Sequence, residues 1–269
     1  MLTAYDFSTA RILDDMDIDI VLVGDSLGMV FLGYENTLPV TIDEMIYHTK
    51  AVARAIKKSF LLVDMPFMSY QVSENEAVYN AGKIIKEGNA NGVKIEGGAE
   101  LTGAIKKIIN CGIPVCGHIG MTPQHINNFS GFKVQGKTKE KTVKLVEDAL
   151  ALQDAGVFGI VIECVPEEVA FFITEKLSIP TIGIGAGKNC SGQVLVINDI
   201  LGYSNDFKPK FVKKYADLNA GIKTAVSEFI SEVRSEKFPD KAHSFHLPDN
   251  ALPEIQFSHT ALQDLKNQN

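Results

Sequence analysis

Short apolar runs that stop abruptly on an ionisable side chain recur along this chain. Residues 21–24 (Val, Leu, Val, Gly) lead into Asp25, and residues 61–63 (Leu, Leu, Val) into Asp64. The run opening at Gly92 carries Lys94 and ends on Glu96. Residues 114–117 lead to His118, and residues 160–162 (Ile, Val, Ile) to Glu163. Runs apolar at every position and bounded by turn signals indicate strands covered on both faces. The pattern predicts strands over 2–5, 18–23, 60–63, 92–95, 114–116, 158–162, 180–184 and 194–198.

Segments with apolar positions at helical spacing separate them. Helices are predicted over 7–16, 41–56, 73–87, 100–109, 142–154, 166–177 and 216–234. Thr41 with Glu44, and Ser73 with Glu76, have the form of capping boxes. Gly88 and Gly156 stand where a helix-ending glycine is expected, and Pro166 stands at a helix start. Strand–helix alternation implies parallel βαβ units. Eight candidate strands favour a closed (β/α)8 TIM barrel, with an open doubly wound sheet as the alternative. The expected organisation is one α/β barrel domain over 1–238 with a short N-terminus, then a C-terminal extension over 239–269. That extension is polar, carries Pro239, Pro248 and Pro253, and reads as an extended tail with a short helix near its end. The long loop 119–139 reads as functional.

Composition narrows the class. At 269 residues the chain is of barrel size, and 45% hydrophobic residues supply a large core. A formal net charge of −7 argues against nucleic acid and anionic membrane as partners. No apolar run approaches the roughly 20 residues of a membrane helix, and no signal-peptide pattern opens the chain. The four cysteines form no CxxC pair and read as reduced thiols. A cytoplasmic enzyme acting on small molecules is the expected class.

A parallel barrel gathers its strand ends at one mouth, so the chemistry is sought there. Asp25, Asp64 and Glu96 end three neighbouring strands, and three converging carboxylates repel unless a cation holds them. Oxygen ligands suit magnesium, whereas the histidines and cysteines lack zinc-ligand spacing. The plain alternative is that each acid caps a helix or pairs with a lysine. Lys94 projects to the same side of its strand as Glu96. It can form a Schiff base or act as a fixed charge, and acidic neighbours favour the fixed charge; a mere salt bridge to Glu96 is the alternative. Glu163 is a candidate proton acceptor, or a cap for the helix after Pro166. His118 is either a catalytic group or a packed, hydrogen-bonded side chain. The glycines of 183–187 suit a phosphate loop or simply a tight turn.

These residues lie in segments that together resemble one family. They are 23–28 (Val, Gly, Asp, Ser, Leu, Gly), 37–41, 64–67, 93–98 (Val, Lys, Ile, Glu, Gly, Gly) and 114–120. To these are added 122–124 (Thr, Pro, Gln), 132–136 opening on Phe132, 163–166 (Glu, Cys, Val, Pro), 183–187 and 243–246. Together they are similar to ketopantoate hydroxymethyltransferase, from Leu2 to about His246. The resemblance implies a (β/α)8 barrel enzyme of pantothenate biosynthesis. It would transfer a hydroxymethyl group from methylene-tetrahydrofolate to α-ketoisovalerate (3-methyl-2-oxobutanoate), giving ketopantoate. It further implies Asp25, Asp64 and Glu96 as the Mg2+ positions, Asp25, Ser26, Asp64 and Lys94 as keto-acid contacts, and Glu163 as proton acceptor. Family members assemble as homo-oligomers, commonly decamers. Two other readings compete: a related barrel aldolase or lyase working through the same enolate, and a catalytically silent assembly scaffold.

Overall fold

Eight strands pair in sequence order into one parallel sheet: β1 (Leu2–Thr3), β2 (Ile20–Val23), β3 (Phe60–Asp64), β4 (Gly92–Glu96), β5 (Val115–Gly120), β6 (Gly159–Glu163), β7 (Thr181–Ile184) and β8 (Gly192–Gln193). This computed structural model describes residues 1–129, 131, 133–203 and 209–247. Phe132 and the expected helix near the end of the tail lie outside the described residues. The sheet curls until its ends meet, since Leu2 bridges Leu195 in parallel and the Thr3 N–H donates to the Leu195 carbonyl at 3.3 Å. An open doubly wound sheet reverses its strand order partway. This sheet does not, and the fold is a TIM-barrel-like α/β fold.

The connecting helices are α1 (Phe7–Asp15), α2 (Leu27–Val30), α3 (Ile42–Ala53), α4 (Glu74–Gly88), α5 (Thr102–Asn110), α6 (Ile126–Phe129), α7 (Lys139–Ala155), α8 (Glu167–Lys176) and α9 (Ile197–Leu201). Thr41 and Glu44 form the full capping box on α3. At α4 only Ser73 contributes, accepting from the Glu76 N–H. The left-handed residue ending α4 is Asn89, one position beyond the expected Gly88, whereas Gly156 takes that role on α7. Asn tolerates the left-handed region better than other non-glycine residues, so it can serve as the helix stop.

Several strand boundaries differ from expectation: β1 ends at Thr3 rather than at residue 5, and β2 opens at Ile20 rather than at residue 18. Strand β5 continues through His118 to Gly120, so His118 lies within the ladder. The last strand comes earlier than 194–198, and residues from Ile197 on turn into α9. The apolar run from Val194 to Ile197 does not by itself distinguish a strand from a buried helix start. Tertiary contact decides it, because the Thr3 hydroxyl accepts the Ile197 N–H at 3.0 Å.

Strand alternation divides the core into two parts. Val21, Leu61, Val63, Val93 and Ile160 pack outward with the helices. One residue out of phase, Leu22, Leu62, Cys116, Val161, Ile182 and Val194 fill the barrel interior. Below this layer Phe60 meets Phe158 with ring centroids 5.3 Å apart. Gly92 leaves room for that floor, since a Cβ there would lie 3.0 Å from the Phe60 ring and 2.9 Å from the Pro114 carbonyl. Above the apolar layer the same inward phase turns charged.

A second compact unit begins at Leu218 with α10 (Leu218–Arg234). Ile222, Val226, Phe229, Ile230 and Val233 form an exposed stripe along it. Phe229 contacts Phe238, and Asp240 caps a 3-10 turn over Lys241–His243. Among the described residues no helix is long and apolar enough to cross a membrane.

Candidate active site

The charged mouth is built from lateral pairs set by strand register. Asp64 pairs with Lys94 across β3 and β4, and Glu96 with His118 across β4 and β5. Asp25 follows β2 directly. Asp25, Asp64, Lys94, Glu96 and His118 are each at least 95% shielded from solvent, a dry setting in which unpaired charge is costly.

Lys94 Nζ lies 3.0 Å from Asp64 Oδ1 and 3.8 Å from Glu96 Oε1. Its main partner is therefore Asp64, and a simple salt bridge to Glu96 does not describe it. Burial pushes the Lys94 pKa down, but Asp64, Glu96 and Asp25 outweigh it and raise the pKa above the usual lysine range. The surrounding acids favour its charged form. His118 lies between two acids, with Nδ1 3.3 Å from Glu96 Oε1 and Nε2 3.2 Å from Glu163 Oε2. Lys94 Nζ also approaches Nδ1, at 3.2 Å. A neutral ring could accept from Lys94, whereas an imidazolium faces both carboxylates. Burial and Lys94 push His118 down, yet Glu96 and Glu163 outweigh them and bring it to about 9.

Asp25 and Asp64 have the opposite character. The Asp25 N–H donates to Asp64 Oδ2 at 3.1 Å, which brings the two acids side by side. Burial raises the pKa of Asp25 well above the carboxylate range, and repulsion from Asp64 and Glu96 adds to it. Burial also raises Asp64, with Lys94 opposing and Glu96 adding. Burial pushes Glu96 up as well, but His118, Lys94 and the Gln124 N–H hold it below the usual range. The network thus leaves one acid pair with more negative charge than its neighbours balance. Two adjacent buried carboxylates with all-oxygen donors fit a hard divalent cation that completes its shell with water or substrate. Among the described residues no group of three or more His, Cys, Asp or Glu converges on one metal-sized point. Glu96 is instead turned toward His118, Lys94 and Gln124.

None of these acids takes the plain capping role. Asp25 bonds to Gln124 rather than to the start of α2. No side chain caps α8, the helix Glu163 could have served. Ser26 stands at the N-cap of α2 without capping it; its hydroxyl lies 2.9 Å from the Tyr5 hydroxyl. Around Glu163 the backbone is unusual. Gly120 has φ +97°, and a Cβ there would lie 2.2 Å from the Glu163 carbonyl. Cys164, the next residue, has φ +49°, a region that non-glycine residues rarely enter. Its N–H bonds to the Ile184 carbonyl and its carbonyl to the Gln135 N–H, both at 2.8 Å, which holds the strained residue in place.

Tyr70 and Gln124 also belong to the site, although neither stands at a strand end. Both are buried, and they link Glu96 with Asp25. Gln124 falls in the segment 122–124, but no periodicity distinguishes a buried loop amide from an exposed one. Of the glycines of 183–187, Gly183 lies within β7, while Gly185 and Gly187 take left-handed conformations at φ +63° and φ +79°. The four cysteines are free thiols, and burial pushes Cys116 up to about 12, so that thiol stays protonated.

Known proteins resemble the chain at two depths. Similarity to solved structures shows the fold alone. A phosphonopyruvate hydrolase, determined as a complex with oxalate and Mg++, superposes with TM-score 0.58 at 12% identity, covering 99% of this chain and 89% of that one. A phosphoenolpyruvate phosphomutase from Streptomyces platensis subsp. rosaceus gives 0.57 at 14% identity, covering 99% and 90%. Sequence similarity goes further. Proteins named 3-methyl-2-oxobutanoate hydroxymethyltransferase from Clostridium botulinum (strain 657 / Type Ba4) and Clostridium novyi (strain NT) are 54% and 55% identical over 255 residues. Each alignment covers 95% of this chain and 93% of the relative. The family model described as ketopantoate hydroxymethyltransferase matches residues 1–241. The chain is an enzyme that belongs to the ketopantoate hydroxymethyltransferase family.

Proposed function

We propose that the chain transfers a hydroxymethyl group from methylene-tetrahydrofolate to 3-methyl-2-oxobutanoate, giving ketopantoate and tetrahydrofolate in pantothenate biosynthesis. The observation that carries the reading is the division of charge at the mouth. An acid pair in negative excess, Asp25 and Asp64, stands beside the cation Lys94, and Glu163 stands beyond them with Oε2 3.2 Å from His118 Nε2.

Asp25 and Asp64 are the carboxylates that would hold Mg2+, with Glu96 joined to them through Gln124 and Lys94. A bound magnesium ion would polarise the keto oxygen and stabilise an enolate. Ser26 donates a hydrogen bond to the substrate carboxylate, and Lys94 balances its charge. Glu163 takes the proton from the branched carbon, leaving its electron pair in the enolate. One water enters to supply the hydroxyl. It adds to the one-carbon unit, and both folate nitrogens keep the electrons of the bonds they lose and take the water's two protons. The formaldehyde-level carbon so freed forms the new C–C bond to the branched carbon, while its oxygen takes the proton held by Glu163. No bond to the enzyme forms. Assembly as a homo-oligomer is part of the same proposal, and the exposed apolar stripe of α10 is consistent with it.

The deciding assay is tetrahydrofolate release from methylene-tetrahydrofolate. Release should require 3-methyl-2-oxobutanoate and rise with its concentration. Cleavage of the keto acid without folate would instead establish an aldolase or lyase. A chain inert in both assays would be a scaffold.

A further inference from the structure

Gln124 sits where the acids of the mouth meet. Its side-chain NH2 donates to Asp25 Oδ2 at 2.8 Å and to the Met65 carbonyl at 2.9 Å. Its Oε1 accepts from the Tyr70 hydroxyl at 2.7 Å and from Gln71 Nε2 at 3.3 Å. Its backbone N–H donates to Glu96 Oε2 at 3.0 Å. All polar atoms of the amide are engaged, and the residue is buried.

This pattern admits one orientation of the amide. Turned over, its oxygen would face a carboxylate and a carbonyl, neither of which can donate. The Tyr70 hydroxyl and the Gln71 amide fix the other end. One residue therefore touches both Asp25 and Glu96, although those acids stand at the ends of different strands. The choice of side chain also has an electrostatic meaning. A neutral amide holds a carboxylate without neutralising it, whereas a lysine or arginine would satisfy Asp25 and compete with any other cation. Among the described residues no basic side chain is ion-paired with Asp25.

We propose that Gln124 is a positioning residue for cation binding, engaging one oxygen of Asp25 so that the other faces the metal with its charge intact. This rests on the magnesium reading given above. Partners that orient metal ligands in this way typically contribute about 10–100-fold to metal affinity.

The test is titration of the purified full chain with Mn2+, following the free ion by electron paramagnetic resonance, for wild type, Asp25→Asn, Gln124→Met and Tyr70→Phe. Thermal midpoints of the variants are recorded alongside. Gln124→Met fills the same space without the amide. It should weaken Mn2+ binding by about 10–100-fold while its melting cooperativity is retained. Tyr70→Phe removes one of the two donors to Gln124 Oε1 and should weaken binding less, in the same direction. If Gln124→Met does not fold, Tyr70→Phe decides. Wild-type affinity in the folded variant, with binding lost in Asp25→Asn, would overturn this role for Gln124 and leave the metal reading standing. No Mn2+ binding by wild type would overturn both.

Discussion

His118 Nε2 lies 3.2 Å from Glu163 Oε2, while the other nitrogen of the same ring faces Glu96. One ring thus stands between the candidate base and Glu96. The base can be tested without folate, because proton abstraction from the keto acid is a complete half-reaction. With Mg2+ alone, wild type should exchange the methine proton of 3-methyl-2-oxobutanoate for deuterium in heavy water, read by proton NMR. Glu163→Gln keeps the shape and removes the base, so exchange should fall by about 10²–10⁴. His118→Asn should reduce it less. Undiminished exchange in Glu163→Gln would place the base elsewhere in the mouth, with His118 next.

Lys94 bears on a different bond. Held charged by Asp64 at 3.0 Å, it is a poor nucleophile toward a carbonyl. Borohydride added with the keto acid should therefore trap no adduct. Lys94→Ala should mainly raise KM for the keto acid and lower the rate. A mass increase on the peptide containing Lys94 would establish Schiff-base chemistry instead.

Exhaustive chelation should abolish turnover, and added Mg2+ should restore it. Asp25→Asn and Asp64→Asn should each weaken metal and keto-acid binding together, measured by calorimetry with each ligand. Full activity after chelation would exclude the metal role of this acid pair.

Gly120 provides a test of backbone geometry. Gly120→Ala places a Cβ against the Glu163 carbonyl at a φ that alanine disfavours. It should cost about 1–3 kcal/mol of stability, and kcat should fall because β6 must shift. A variant with wild-type melting and turnover would show that this close approach is not required.

Asp14 gives a prediction in pH. Its carboxylate accepts the N–H groups of Lys57, Lys58 and Ser59 at 3.0, 3.1 and 2.9 Å. Burial pushes its pKa up, but these bonds outweigh it and bring the pKa from 3.8 down to about 2. A depressed carboxylate contributes stability that is present above pH 3.8 and is lost as pH falls toward 2. Asp14→Asn should lower stability near neutrality by about 1–3 kcal/mol. The gap from wild type should close across that acid window in urea titrations. A constant gap down to pH 2 would place the effect elsewhere.

Much of this site is legible in the sequence because burial and charge conflict there. A carboxylate ending an apolar strand, as at Asp64 or Glu163, needs an explanation, and parallel strands bring such ends together. Lys94 and Glu96 share a face by simple alternation. Gln124 and Tyr70 are not legible in this way. They lie in loops whose path is set by tertiary contact, and their polar atoms are satisfied only by residues far along the chain. The turn into α9 is not legible for a related reason, since four apolar residues suit a strand and a buried helix start equally until Thr3 reaches Ile197.

The apolar floor under the mouth has a further consequence, for proton traffic. Phe60, Phe158 and the layer of Leu22, Leu62, Cys116 and Val161 contain no group that relays a proton toward the far end of the barrel; the Cys116 thiol, pushed up to about 12, stays closed to that role. In the proposed reaction a proton taken by Glu163 would therefore leave through the mouth and not through this floor. On that reading a substrate covering the mouth would keep the proton there, and label washed out of it would report how often the mouth is uncovered.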